Sequence, residues 1–190
     1  MIYSVAEISD IEELLELQKR YHVNTISEED RPQGFVTTLF TKEQLSELIE
    51  KEQGVIIARS DGMLIAYAMN GSWEYWKQWP LFQYMIEDLP GTFFNGISLN
   101  TENTYQYGPV CIHTDYRGRG VLKNIVEYSR LKFGYKYPIM LTFINSINSH
   151  SKVTHVDGVG LEIIKTFPFN NNIYLELGYD NSKPIKGNTL

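Results

Sequence analysis

With 190 residues, 43% of them hydrophobic and 21% charged, the chain has the make-up of a water-soluble protein with room for one well-cored domain. Its formal net charge of −6 excludes nucleic acid as the main partner, because a phosphate backbone needs a basic face; the same mild acidity tolerates an amine substrate and, more simply, favours solubility. Apolar runs such as residues 55–58 are too short to span a bilayer, no signal peptide is expected at the N-terminus, and the single cysteine, Cys111, excludes an internal disulfide and fits a reducing cytoplasm.

Residues 2–8 read as a first strand. Ser9 stands three residues before Glu12, a capping-box spacing, and Ile11, Leu14, Leu15 and Leu17 follow at roughly helical intervals, so a helix is predicted to about residue 21. Residues 24–34 are polar, contain Pro32 and Gly34, and read as a loop. Thr41 and Gln44 form a second capping box, and Leu45, Leu48 and Ile49 give the helix after it one apolar face. Two β-prone runs, 54–60 and 63–69, flank Ser60-Asp61-Gly62, a strong hairpin signal, with Gly71 closing the second strand.

Residues 72–104 form an insertion. Its first part has mixed helical character broken by Pro80 and Pro90, and residues 91–103 read as a loop. Trp73, Tyr75, Trp76, Trp79, Phe82 and Tyr84 crowd into it, either as a small satellite core or as the lining of an acceptor pocket whose aromatic faces suit a cationic or ring-bearing amine. A strand over 105–113 follows. The next helix carries Leu122, Ile125, Val126, Ser129 and Phe133 in a stripe of helical period, closed by Gly134 and Pro138. Residues 139–144 are an almost continuous apolar run, as in a buried strand. Polar residues 145–151 lead to a short helix that is expected to end at about Val156, and Gly158 and Gly160 break the chain. A final hairpin joins 161–169 to 173–177 across Asn170-Asn171-Asn172, and the polar end of the chain is expected to fray. No internal repeat or domain boundary is visible. The reading is one domain over 1–180, with the insertion at 72–104 and a tail at 181–190.

The stretch 110–122, VCIHTDYRGRGVL, organises the rest. It runs from a strand through a Gly/Arg turn into a helix N-terminus. Such a turn exposes backbone N–H groups, the helix dipole adds partial positive charge, and arginines supply donors for phosphate oxygens. A Rossmann reading fails because the turn is not G-x-G-x-x-G and comes late in the chain, and no Walker motif occurs. What remains is a pyrophosphate grip, held mainly by backbone, for a nucleotide-bearing cofactor.

In these residues and in element order the chain resembles the GNAT superfamily of acetyl-CoA-dependent N-acetyltransferases. Arg117 fills the first place of that family's R/Q-x-x-G-x-G/A turn and Gly120 its first glycine, while Leu122 stands where Gly or Ala is usual. Asn148, Ser151, His155 and Gly158 loosely fit a second family pattern downstream. The resemblance implies a mixed α/β (α+β) fold: a central, mostly antiparallel, twisted sheet of about seven strands, splayed at the cofactor site and flanked by helices. The aromatic insertion falls between its third and fourth strands. It implies acetyl-CoA as co-substrate and no metal. Val110, Cys111 and Ile112 would hold the pantetheine arm and thioester, and Arg117, Gly118, Arg119, Gly120, Val121 and Leu122 the phosphates, with Asn148 and Ser151 also at the cofactor. The acetyl group would pass to a primary amine of a small molecule or peptide by direct attack. His155 occupies the place of the family's tyrosine acid and is the catalytic candidate; Tyr75, Trp76 and Tyr105 are the substrate-binding candidates, with Tyr107 beside them.

Other residues have blander readings. His113, at the strand end, suits a turn cap, and Cys111 a packed thiol. Glu74, Glu87 and Glu102 could serve as a base through water, with nothing to rank them. No H-E-x-x-H motif or cysteine pair marks a metal site. Two other functions compete: a non-catalytic acyl-CoA-binding sensor module, and an interaction protein whose aromatic insertion is an exposed patch. A homodimer is the commonest default assembly.

Overall fold

The computed structural model describes residues 1–31 and 34–190; Pro32, in the loop expected over 24–34, lies outside them. The first strand, β1 (Ile2–Val5), enters α1 (Ile11–Arg20) through a tight turn, Ile8–Asp10. The cap there is not Ser9 with Glu12. The Glu7 N–H donates to the Asp10 carboxylate at 2.7 Å, so the helical path starts earlier. Helix α1 buries Ile11, Leu14, Leu17 and Gln18, and the Gln18 amide exchanges two hydrogen bonds with the Phe40 backbone, at 2.7 and 3.0 Å. Helix α2 (Lys42–Glu47) opens with the reciprocal Thr41–Gln44 box, at 2.9 and 3.2 Å. A wider π-helical turn, Leu48–Glu52, extends it until Gln53 turns left-handed. Strands β2 (Val55–Ser60) and β3 (Met63–Gly71) pair around Asp61 and Gly62, both at positive φ, as the Asp-Gly signal predicts.

The insertion holds α3 (Trp73–Trp76), α4 (Pro80–Asp88) and a small hairpin, β4 (Phe93–Phe94) with β5 (Ile97–Ser98). The hairpin replaces the loop expected over 91–103. Its turn is Asn95-Gly96, at φ 51° and 78°, a sequence that favours just this conformation. The chain then runs through β6 (Thr104–Ile112), α5 (Val121–Phe133), β7 (Ile139–Asn145), α6 (Ser149–Val153), β8 (Glu162–Phe169) and β9 (Asn172–Asp180).

Among the described residues, seven strands form one sheet in the order β1-β2-β3-β6-β7-β9-β8. Every neighbouring pair is antiparallel except β6 with β7. One face is covered by α1, α2 and the insertion, whose Trp73, Trp76, Phe82 and Met85 join the core with Leu45, Leu141 and Phe167. The other face carries α5, with Val121, Ile125, Val126 and Phe133 against Ile56, Ala66, Tyr105 and Met140. The tail does not fray. Ile185 is buried, its N–H donates to the Glu127 carboxylate at 3.0 Å, and the Thr189 N–H donates to Asn124 Oδ1 at 2.8 Å, so the tail docks along α5.

Candidate active site

Strands β6 and β7 run together for three residue pairs only, Thr104 with Ile139, Tyr105 with Met140 and Gln106 with Leu141. The sequence explains why they part. Gly108 sits at φ +100°, a left-handed conformation, and a Cβ there would meet Thr142 Oγ1 at 3.3 Å. Pro109 follows and has no N–H to give to a ladder. From Tyr107 onward, β6 leaves its partner and stays paired only with β3.

A cleft of about 370 Å³ opens beside the parting strands. Val110, Cys111 and Ile112 of β6 form one wall, and Arg117, Gly118, Gly120, Val121 and Leu122 line the turn and first helical residues. Asn148, Ser151, Thr154 and His155 come from α6 and the turn after it, and Tyr21, Gly34, Phe35 and Val36 from the segment between α1 and α2. The sequence-predicted cofactor residues thus converge, with one exception. Arg119 is not in the lining; its guanidinium lies over the Tyr116 ring, 5.6 Å from the centroid.

The turn that opens α5 is shaped by a capping histidine and two left-handed glycines. His113 caps it, its Nδ1 accepting from the Asp115 N–H at 3.3 Å, the capping role its place in the sequence suggests. Gly118 and Gly120 lie at φ 72° and 80°, where other L-residues are strained, and nothing lies within 4 Å of a Cβ at either. Within α5, the Asn124 N–H bonds back to the Gly120 carbonyl at 3.2 Å. The N–H groups of the helix's first turn precede that bond and have no intrahelical acceptor by geometry; the positive end of the helix dipole adds to them. Lys123 also lines this end of the cleft.

Asn148 caps α6, its Oδ1 accepting from the Ser151 N–H at 3.1 Å, which turns the helix so that Ser151 and His155, four residues apart, face the cleft together. His155 Nδ1 lies 2.8 Å from the Ser151 carbonyl and 3.3 Å from its Oγ; Nε2 lies 3.4 Å from the Tyr107 hydroxyl. A carbonyl only accepts, so Nδ1 carries the proton and Nε2 is the accepting nitrogen. Burial pulls the His155 pKa below its ordinary value, partly opposed by the Ser151 carbonyl, and the ring is neutral. Burial also raises the Tyr107 phenol, which keeps its proton. The Cys111 thiol, on the cleft wall, is pushed up to about 12 by burial and is therefore unreactive.

The aromatic candidates lie elsewhere. Trp76 is fully buried against Phe40, Trp79 and Phe82. The Tyr75 hydroxyl donates to the Gln44 carbonyl at 3.0 Å. Tyr105 is fully buried and stacked on Phe133, 4.9 Å between centroids. None of the three lines the cleft. Most of the insertion's rings pack into the core under the sheet and do not form a separate satellite core; Phe93 is its most exposed ring. Glu74, Glu87 and Glu102 are also outside the lining, and Glu74 pairs with Lys77 at 2.5 Å.

Tyr21, Phe35, Val36 and His150 enter the cleft without having been singled out in the sequence. Phe35 and Val36 reach it from a segment without periodicity, His150 from a very short helix and Tyr21 from the C-cap position of α1, and no local pattern marks them as cleft residues. Lys123, a cation three residues beyond Gly120, was the one such residue with a readable signal. Among the described residues, no helix is long and apolar enough to cross a membrane, and no cluster of three His, Cys, Asp or Glu side chains could hold a metal ion.

No protein-family model and no curated protein sequence matches the chain. Solved structures do. A ribosomal-protein-alanine N-acetyltransferase from Brucella melitensis superposes with a TM-score of 0.61 at 17% identity, over 95% of this chain and 99% of that one. A Salmonella typhimurium protein solved with its cofactor acetyl-CoA gives 0.63 at 13% identity, over 97% and 98%. The ribosomal-protein-S18-alanine N-acetyltransferase from Escherichia coli gives 0.60 at 8% identity, over 100% and 99%. The mixed α/β arrangement on a mostly antiparallel seven-stranded sheet is therefore the fold of the GNAT-type acetyltransferases.

Proposed function

We propose that the protein is an acetyl-CoA-dependent N-acetyltransferase acting on a primary amine of a small molecule or peptide. The observation that carries this reading is the parting of β6 from β7 beside a helix N-terminus preceded by two left-handed glycines, all lining one cleft. The residues present fit coenzyme A. The released edge of β6 over Val110–Ile112 offers amides to a pantetheine arm, and the turn at Gly118–Gly120 with the first turn of α5 offers N–H groups to a pyrophosphate.

Bound acetyl-CoA supplies an activated acyl group and a thiol leaving group. The chain's own residues do the rest. Backbone N–H groups near Ile112 stabilise negative charge on the carbonyl oxygen, the kind of preorganised contribution that is often the largest in acyl transfer. The apolar wall of Val110, Ile112 and Val159 excludes water. Val36 and Phe35 shield the cleft from the α1–α2 side. His155 holds a proton on Nδ1 and a lone pair on Nε2; once Nε2 is released from its contact with Tyr107, it takes the proton that the attacking amine loses and returns it to the departing thiolate sulfur. A reducing cytoplasm suits the single buried thiol, and a homodimer remains the default assembly.

A second reading, a non-catalytic acyl-CoA-binding module, is favoured by one observation: both ring nitrogens of His155 are already engaged, by Ser151 and Tyr107. One assay separates the two. The protein is incubated with acetyl-CoA and a panel of amino acids, polyamines and peptides, and free thiol release is followed beside CoA binding. Turnover on an amine supports the transferase; tight CoA binding without turnover on any acceptor selects the module; no CoA binding sinks both.

A further inference from the structure

Tyr21 ends α1, and its side chain reaches a turn 93 residues away in sequence. The Thr114 N–H donates to the Tyr21 hydroxyl at 3.0 Å, and Thr114 Oγ1 lies 3.1 Å from the same oxygen. The Arg117 guanidinium lies 5.2 Å from the centre of the Tyr21 ring, and the His113 ring meets it edge-on at 5.9 Å. Arg117 is held from its other side, where Nε donates to the Ile112 carbonyl at 2.9 Å. The phenol is itself fixed. The Tyr21 N–H closes α1 on the Leu17 carbonyl at 3.3 Å, and its own carbonyl accepts from the Val36 N–H at 2.9 Å.

Every group that Tyr21 engages on the turn belongs to residues 113–117, the run that delivers the chain to Gly118. Arg117 is extended, at φ −68° and ψ 152°, directly before the left-handed Gly118. A guanidinium over an aromatic face is attracted by the ring's quadrupole and, being weakly hydrated, loses little by lying there. The hydroxyl takes up a backbone N–H that the turn would otherwise leave to solvent.

We propose that Tyr21 is a positioning residue of the cofactor site: it sets Arg117 and the 114–118 turn in the orientation that grips the pyrophosphate, without itself contacting phosphate. The proposal rests on the coenzyme A reading. It predicts a loss confined to the phosphate-bearing part of the ligand, whereas a purely structural tyrosine, or one that touches the pantetheine arm, predicts a loss shared by all ligands.

The test compares CoA with pantetheine, which has the same arm and no phosphate, each titrated by NMR into the full-length protein and into Tyr21→Phe and Tyr21→Leu. Tyr21→Phe keeps the ring and is expected to weaken CoA about tenfold through the lost hydroxyl contact. Tyr21→Leu, without the ring, is expected to weaken it further, to about a hundredfold. Pantetheine affinity and the urea midpoint of Tyr21→Phe are expected to match wild type. Unchanged CoA affinity in Tyr21→Phe, or an equal loss on both ligands, overturns the proposal while leaving the coenzyme A reading intact. A wild-type protein that binds no CoA overturns both.

Discussion

At the scale of single residues, His155 and Gly120 carry the sharpest expectations. His155→Ala should lower kcat more than it raises KM for acetyl-CoA, because the ring offers a proton site and not a phosphate contact; wild-type turnover would remove it from the mechanism. Gly120→Ala meets no neighbour, so its cost is backbone conformation alone, about 1 kcal/mol. Its effect on CoA affinity should exceed its effect on the denaturation midpoint, since the left-handed turn is what aims the amides; the reverse order would place the phosphates elsewhere. His113, His150 and His155 all have pKa values below the ordinary 6.5, burial being the largest cause in each. The folded state favours the neutral rings and the unfolded state binds protons first. Their stabilisation is therefore complete above about pH 6.5 and falls as pH drops through the folded values, by at most about 1.4 kcal/mol per pH unit for each proton. Glu176, raised by burial, works in the opposite sense, so the clean comparison is wild type against His155→Asn, whose urea midpoint should depend less on pH. An unchanged pH dependence would show that the His155 ring does not contribute to it. The glycine turn was legible because φ > 0 leaves a compositional trace. The pairing of His155 with Tyr107 was not, because residues 48 apart in sequence carry no mutual signal.

At the scale of elements, the insertion is bolted to the sheet by charge as well as by rings. Lys165 of β8 pairs with Asp88 at the end of α4, and its Nζ lies 3.3 Å from the buried Glu176 carboxylate of β9. Lys165→Met should leave Glu176 buried without its cation and destabilise the protein by about 3 kcal/mol, whereas Lys165→Met combined with Glu176→Leu should recover most of that. Denaturant midpoints of the two variants decide the matter; an equal loss in both would mean that the pair does not act as a pair. Helix α2 and the β2–β3 hairpin were readable from local chemistry, a capping box and an Asp-Gly turn. The Asn95-Gly96 hairpin carries the same kind of signal, but its strands are two residues long and lack the alternation that usually accompanies it. The direction of the insertion's aromatics had no such trace. Composition counts rings and does not say which side they face, and Trp76 turned inward because Phe40 and Phe82 were there to receive it.

At the scale of the whole molecule, the sheet was expected because element order and the 110–122 turn resemble the GNAT superfamily, and not from any pattern within single strands. The docking of the tail was not readable, because polar residues with Pro184 and Gly187 look like a free end until Ile185 is seen buried beside Glu127. Removing residues 184–190 should cost about 3 kcal/mol, as an isoleucine and several hydrogen bonds leave α5, and a melting temperature equal to that of the full chain would refute the docking. The three-pair seam between β6 and β7 has a consequence of another kind. All of β1, β2, β3 and β6 comes from residues before 113, and all of β7, β8 and β9 from residues after 138, so the seam in space is also a cut in the chain. A protein severed within the turn would yield two fragments, one carrying the edge of β6 with Arg117 and the other carrying α5 and α6, and neither would own a complete cleft. A ligand that spans the seam would join them, and reassembly of the two fragments would then report its presence.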